Sequence, residues 1–241
     1  MSEHDDLLER LRQTLNQQEI DSFHILEDLV PLDIQMDYFK YFDNLRKENP
    51  SFDRDEEVAI LFSPEVDIER KKKSLTLLAS IPDVGAYRTI ETYHSSPADK
   101  ELAHWSSMAL VSSRIILTSD LSGQQQVYIS SGLGGQDKKL RFFSLFTTNN
   151  RQEFTYLQKE MIEREFKFHL NSTDVLIEKI DIKSNYFTLL ILFPFDEDIK
   201  ARLNSAVKEC NQYGNFLDTR FLFTNVKILN EKEIETLLGK K

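Results

Sequence analysis

The sequence predicts an α+β protein, with an all-helical N-terminal part followed by a C-terminal part that reads strand, helix, strand, strand, helix, strand. Three observations predict this. Apolar residues recur at three- and four-residue steps from the N-terminus to about Ser122. Two unbroken apolar runs, Leu140–Thr147 and Tyr186–Phe193, lie beyond that point, and capped amphipathic stretches alternate with the strands around them. The expected domains are therefore 1–122 and 123–241.

In the first part, Leu7, Leu8, Leu11 and Leu15 mark one stripe of a first helix. Ile25, Leu26, Leu29 and Val30 continue the period until Pro31 interrupts it. Met36, Tyr38, Phe39 and Phe42 mark a further helix that stops near Asn49-Pro50, because the residue before a proline avoids helical backbone. No strand is expected in this part. Between Glu65 and Leu121, Ser74-Leu75-Thr76-Leu77-Leu78 is echoed 33 positions later by Ser107-Met108-Ala109-Leu110-Val111. A second helix between the copies starts near Asp83 and runs to Ser95-Ser96-Pro97. The stretch 66–121 resembles the HEAT-like class of paired-helix repeats, and an antiparallel helical bundle would give the same pattern. The resemblance implies protein–protein contact rather than chemistry.

In the second part, Gln125–Ser131 reads as a short polar strand and Gly132 to Asp137 as a turn. Leu140–Thr147 suits a buried strand. Asn150 with Glu153 three residues on reads as a cap opening a helix through Phe154, Leu157, Met161, Ile162 and Phe166. Val175–Ile182 alternates, Ser184-Asn185 turns the chain, and Tyr186–Phe193 follows as a second apolar strand. Asp196 is placed to cap a helix carrying Ile199, Leu203, Ala206, Val207 and Cys210, with Gly214 at its end. Phe216–Ile228 reads as a last strand, and Asn230 with Glu233 as the cap of a helix bearing Ile234, Leu237 and Leu238.

That order is the split βαβ, or ferredoxin-like, arrangement with an antiparallel sheet. Its first and third strands lie in the middle, and here those are the two unbroken apolar runs. Both faces of these strands are apolar: Phe142 and Phe146 against Phe143 and Leu145, and Phe187 and Leu189 against Leu190 and Leu192. Left in water, each such side chain would forgo about 1.5–3 kcal/mol. A cover is expected on the second face, from the N-terminal helices first and from the sheet of another copy second.

Charge is uneven. The chain has 40 acidic and 30 basic residues, net −10. Residues 1–60 hold 16 acids and 6 bases, and the rest balances. The acidic segment serves solubility or docks on a basic partner. A neutral body with an acidic start predicts no nucleic-acid partner. No apolar run reaches the ~20 residues of a membrane span, and Met1–Gln17 is acidic and polar where a signal peptide is basic and then apolar. A cytoplasmic protein without membrane contact is expected. One cysteine, Cys210, excludes an internal disulfide and a thiolate zinc site.

Signatures of chemistry are sparse. There is no Gly-x-Ser-x-Gly elbow, Cys210 falls on a core-facing helical position, and His4, His24, His94, His104 and His169 lack ligand spacing. No catalytic residue, metal ligand or cofactor is assigned. The candidate ligand- or anion-binding feature is the loop Gly132, Gly134 and Gly135 with Lys138, Lys139 and Arg141, whose alternative is a plain hairpin turn. Trp105 is either a helix-packing residue or an exposed interaction anchor. The run Arg70-Lys71-Lys72-Lys73 reads as a solvated helix face. These features lead to the expectation of a non-enzymatic adaptor or assembly protein with a protein partner. A ligand-sensing regulatory domain that dimerises and an enzyme with residues drawn from distant positions are the alternatives.

Overall fold

The computed structural model describes residues 23–124, 126–171, 174–194 and 197–239. The Leu7–Leu15 stripe and the Asp196 cap lie outside these. The chain divides into two compact units, one of them spanning Asp21–Ser130 and the other taking in Ser131–Lys241. The fold is α+β, with helices first and an antiparallel sheet after them.

The helical unit contains β1 (Phe23–Ile25), α1 (Leu32–Glu48), α2 (Arg54–Phe62), α3 (Ile68–Ala79), α4 (Val84–Ser95), α5 (Ala103–Ser122) and β2 (Val127–Ile129). Aspartates start three of the helices. Asp53 accepts from the amides of Asp55 and Glu56, Asp67 from Arg70, and Asp83 from Ala86, which satisfies donors that have no partner inside a first turn. Pro31 sits just before α1 and Asn49, in the left-handed region at φ 43°, ends it ahead of Pro50. Leu26, Tyr38, Leu61, Leu75, Leu78, Ile90, Tyr93, Trp105 and Met108 share one core. Both segments of the internal echo therefore feed a common core.

Strand β1 is a departure from the all-helical expectation, and its partner β2 is part of the strand read over Gln125–Ser131. The pair is parallel, with Phe23 opposite Val127 and Ile25 opposite Ile129. Three residues are too few to show an alternation in sequence. The pairing draws residues 123–130 into the helical unit, so the units divide after Ser130 where the periodicity placed the change at Ser122.

The second unit contains β3 (Gly135–Gln136), β4 (Lys139–Thr147), α6 (Tyr156–Asn171), β5 (Leu176–Ile182), β6 (Tyr186–Pro194), α7 (Ile199–Asn211), β7 (Leu222–Thr224) and α8 (Glu231–Gly239). Strand β4 lies between β6 on one side and β3 and β7 on the other, and β5 pairs the far edge of β6. All of these pairings are antiparallel. The apolar runs thus occupy the middle, as the ferredoxin-like order requires. Phe146 stacks on Phe187 at 4.7 Å between ring centroids and meets Phe166 of α6 edge-on at 5.0 Å.

The opposite face of the sheet is covered by this unit's own chain. Phe143 and Leu145 pack with Leu133 of the glycine loop and Ile234 of α8, and Leu190, Leu229 and Leu238 complete the cluster. This corrects the expected cover, because a helix of only nine residues at the end of the chain does the work assigned to the N-terminal helices or a second copy.

Three local readings also change. Helix α6 opens at Thr155, not Asn150: the Thr155 amide donates to Gln158 Oε1 at 2.9 Å and the Gln158 amide to Thr155 Oγ1 at 3.3 Å. Asn150 instead accepts from the Gln152 amide at 3.1 Å in a turn that holds Arg151 at φ 62°. Asp198 caps α7 through the Ala201 amide. Last, the strand expected over Phe216–Ile228 contracts to β7 and a single bridge between Leu217 and Thr148. Asp218 Oδ1 accepts from the Arg220 amide at 2.9 Å, and this turn carries the chain off the edge of β4 between the two pairings. The reciprocal cap of α8 is present as read, with Asn230 and Glu233 each donating a backbone amide to the other's side chain at 3.0 Å. Among the described residues no helix is long and apolar enough to cross a membrane.

Candidate functional site

Where β7 leaves β4, the second unit holds a cavity of about 670 Å³. Its apolar wall includes Leu145, Leu222 and Leu237; its charged residues are Arg151, Lys200 and Arg220, with Asp218 as the one acid. Phe221 and Phe223 add half-buried rings. Each polar group is placed by the turns just described. The left-handed backbone at Arg151 sets its position at the end of β4. Arg220 follows the Asp218 turn, pairs with that carboxylate at 3.0 Å, and keeps 77% of its side chain exposed. Lys200 lies in the first turn of α7 with Nζ 5.5 Å above the Phe223 ring. Phe221 rests on Phe146, with ring centroids 4.8 Å apart.

Thr148 forms part of the same wall. Its amide donates to the Asn185 carbonyl at 3.1 Å, and the residue is 6% exposed. Its hydroxyl is buried and has no hydrogen-bond partner among the described residues. A buried hydroxyl left in that state is destabilising by roughly 1–3 kcal/mol, so the position calls for an explanation.

The helical unit offers a different arrangement. Asp28 Oδ2 accepts from Ser107 Oγ at 2.5 Å and faces His94 Nε2 at 3.3 Å, while His94 Nδ1 lies 3.2 Å from Ser106 Oγ. The line carboxylate–imidazole–hydroxyl has the connectivity of a nucleophilic triad but not its chemistry. Ser106 is wholly buried, and its proton is committed to the Ala103 carbonyl at 2.8 Å. The cluster instead ties the β1–α1 connection to α4 and α5. The hydrogen bond from His94 holds the Asp28 carboxyl below the usual carboxylate range, against desolvation and with help from Ser107.

The basic run of α3 is not a solvated face. Lys71 is 2% exposed, with Nζ 2.6 Å from Asp99 Oδ2. Arg70 forks onto both oxygens of buried Glu57 at 2.7 and 2.8 Å, and Ser74 adds a third hydrogen bond to the same carboxylate. The correction has a simple cause: charges on the inner face of a helix read like solvated ones when their partners come from distant segments. Trp105 is interior, edge-on to Tyr38 at 5.1 Å, with its indole N–H donating to Thr76 at 3.2 Å. Burial pushes the Cys210 thiol up to about 12, so it is an inert core group. Among the described residues no group of three or more His, Cys, Asp or Glu is arranged to hold a metal ion.

The glycine loop does not reach the cavity. Gly132, Gly134 and Gly135 are all buried. A Cβ on Gly132 would stand 1.8 Å from the Val226 carbonyl oxygen, so glycine is there for close backbone approach. The loop's donors are engaged internally, Leu133 N–H on Asn225 O and Gly134 N–H on Ser131 O. Arg141 forks onto Glu178 at 2.6 and 2.8 Å and donates to the Leu133 carbonyl. Lys138 occupies the exposed turn at φ 62°, and Lys139 pairs in the β3–β4 ladder. Sequence reading overlooked the residues that do share a cavity, Thr148, Arg151, Lys200 and Arg220. The available signal was the string Asp218-Thr219-Arg220-Phe221, a turn former beside a cation and a ring.

No protein family's description matches the chain, and no curated protein matches it. Among solved structures it is similar to a REP-associated tyrosine transposase bound to a REP hairpin, with 16% identity, TM-score 0.33, and coverage of 42% of this chain and 63% of that one. It is also similar to a putative transposase from Deinococcus radiodurans, with 12% identity, TM-score 0.35, and coverage of 44% of this chain and 91% of that one. The chain therefore spans less than two thirds of the first of these. Both are described as transposases, and the first is bound to a REP hairpin. The expectations of a non-enzymatic adaptor, of a dimerising sensor, of HEAT-like repeats built for protein contact and of a chain without a nucleic-acid partner are corrected on this finding. Likeness at these scores carries no activity over to this protein.

Proposed function

We propose that the second unit binds nucleic acid through the cavity beside β7. The observation that carries this reading is the composition of that wall: three cations and one acid around two phenylalanine rings. Cations along a groove with adjoining aromatic faces are what a nucleic-acid strand requires, since phosphates are neutralised by the former and bases pack on the latter. Arg220 forks onto Asp218 while keeping 77% of its side chain exposed, so its guanidinium is within reach of a phosphate that approaches from solvent. The attraction is carried by the local cluster at the cavity, because the unit's net charge is close to zero. Residues 131–241 hold 17 bases and 16 acids, while residues 1–130 hold 13 bases and 24 acids and repel a polyanion. The reading includes the cytoplasmic setting expected from the sequence.

The test is fluorescence anisotropy of a labelled single-stranded oligonucleotide with the full chain, across a salt titration. Three phosphate contacts on a single strand predict a log–log salt slope of about −2, at ~0.7 per contact. Arg151→Ala and Arg220→Ala should each flatten it by ~0.7. Absence of saturable binding at low salt, or binding unchanged in both variants, overturns the proposal.

A further inference from the structure

We infer that the outer face of α1 is the seat of the same chain's N-terminal segment, residues 1–22, with Leu8, Leu11 and Leu15 laid antiparallel along it. Helix α1 has two apolar faces. On the inner one Tyr38, Phe42 and Leu45 are buried. The outer one begins at Leu29, just ahead of the helix, and continues through Leu32, Met36 and Phe39, side chains between 37% and 72% exposed. A helix that packs on one core needs one apolar stripe. A second, contiguous stripe marks a surface that something covers.

Spacing and charge identify the occupant. The leucines of residues 1–22 lie outside the described residues, and their sequence carries the match. Steps of three and then four residues separate Leu8, Leu11 and Leu15, and the same steps separate Phe39, Met36 and Leu32 read in the opposite direction. Helical stripes with that repeat mesh side chain against side chain. Laid antiparallel, Leu8 meets Phe39, Leu11 meets Met36 and Leu15 meets Leu32. The same register brings Arg12 beside Asp33 and Asp5 beside Lys40, opposite charges in both cases, and Asp33 and Lys40 are exposed on α1. Residues 16–22 join the stripe to β1 and reach at most ~25 Å, about the length of the 17-residue α1 at ~1.5 Å per residue. A tether that short holds the segment near its own helix at an effective concentration of about millimolar, which favours it over a second copy.

The experiment is hydrogen exchange on the full chain. A helix over Leu7–Leu15 is too short to persist alone, so protection of its amides reports docking. Those amides should exchange at least ~10-fold more slowly than in a free peptide. Met36→Glu, at a position exposed on α1, should remove the protection. Arg12→Glu should weaken it, and adding Asp33→Arg should restore it. Leu8→Cys with Phe39→Cys, oxidised with diamide, should close a disulfide within one chain, while Leu15→Cys with Phe39→Cys should not; Cys210 is buried and stays out of the reaction. Exchange at the free-peptide rate in the parent overturns the inference, as does protection that Met36→Glu leaves unchanged or a charge swap without recovery. A disulfide that joins two chains assigns the seat to a second copy and overturns it as well.

Discussion

In the helical unit the buried charges are consumed by close partners, Glu57 by Arg70 and Ser74 and Lys71 by Asp99, and the exposed Asp28 is held in the same way by His94 and Ser107. In the second unit the cations Arg151, Lys200 and Arg220 border a cavity, and a buried hydroxyl there has no described partner. The difference teaches where to look for function. A buried charge with an excellent partner is evidence of a fixed packing arrangement and weak evidence of a site. Charges of one sign gathered around a cavity are the better place to look, because an incoming anion meets several of them at once.

Substitutions can break this contrast from either side. The largest effect is expected at Phe146, which is fully buried and touches Phe166, Phe187 and Phe221. Phe146→Ala should destabilise the sheet unit by about 4 kcal/mol, measured by denaturant unfolding with hydrogen exchange on the β4 and β6 amides. It should also loosen Phe221 and weaken oligonucleotide binding in conditions where the protein stays folded. A loss under about 1 kcal/mol would mean that the aromatic cluster is not the sheet's anchor.

In the helical unit, Glu57→Gln keeps the shape of the side chain but takes the charge from Arg70. A loss of about 2 kcal/mol is expected, read from urea unfolding followed by the emission of Trp105, the chain's one tryptophan and a member of that unit's core. An unchanged midpoint would show that the pair contributes nothing net.

The smallest effect concerns acid. The His94 hydrogen bond lowers the Asp28 carboxyl in the folded protein. A carboxyl lowered on folding stabilises the protein at pH values above its unfolded pKa, near 4 for an aspartate, and loses that contribution as pH falls through the folded value. Asp28→Asn should therefore be less stable than the parent at neutral pH, and the two should converge below pH ~4. Parallel stability curves across that range would show that Asp28 is not linked to folding.

Much of the fold was legible. The unbroken runs at β4 and β6 marked the middle of the sheet because only strands flanked on both sides can be apolar on both faces, and the caps at Asp83 and Asn230 were visible because they are local chemistry. The three-residue strand β1 was not, since so few residues show no period, while β2 and β7 are short portions of the strands read over Gln125–Ser131 and Phe216–Ile228. The cap of α6 was misplaced by five residues because Asn150-x-x-Glu153 and Thr155-x-x-Gln158 both satisfy the capping pattern, and only the backbone path chooses between them. The site was harder still. Gly132, read as part of a candidate ligand loop, stands in close approach to Val226, while Thr148 and Arg220, 72 positions apart in sequence, gave no joint signal.

The amino-acid order by itself determined the α+β class, the succession of strands and helices after residue 130, the acidic balance of the first half and the inertness expected of Cys210. These follow from periodicity, local hydrogen bonding and composition, which act over a few neighbours along the chain. Tertiary structure alone decided that α8 covers the second sheet face, that Lys71 is buried with Asp99, and that β7 leaves β4 early enough to open a cavity. Those outcomes depend on which distant segments meet, and the free energy of such meetings is set by volume and partner geometry that no short window of sequence contains.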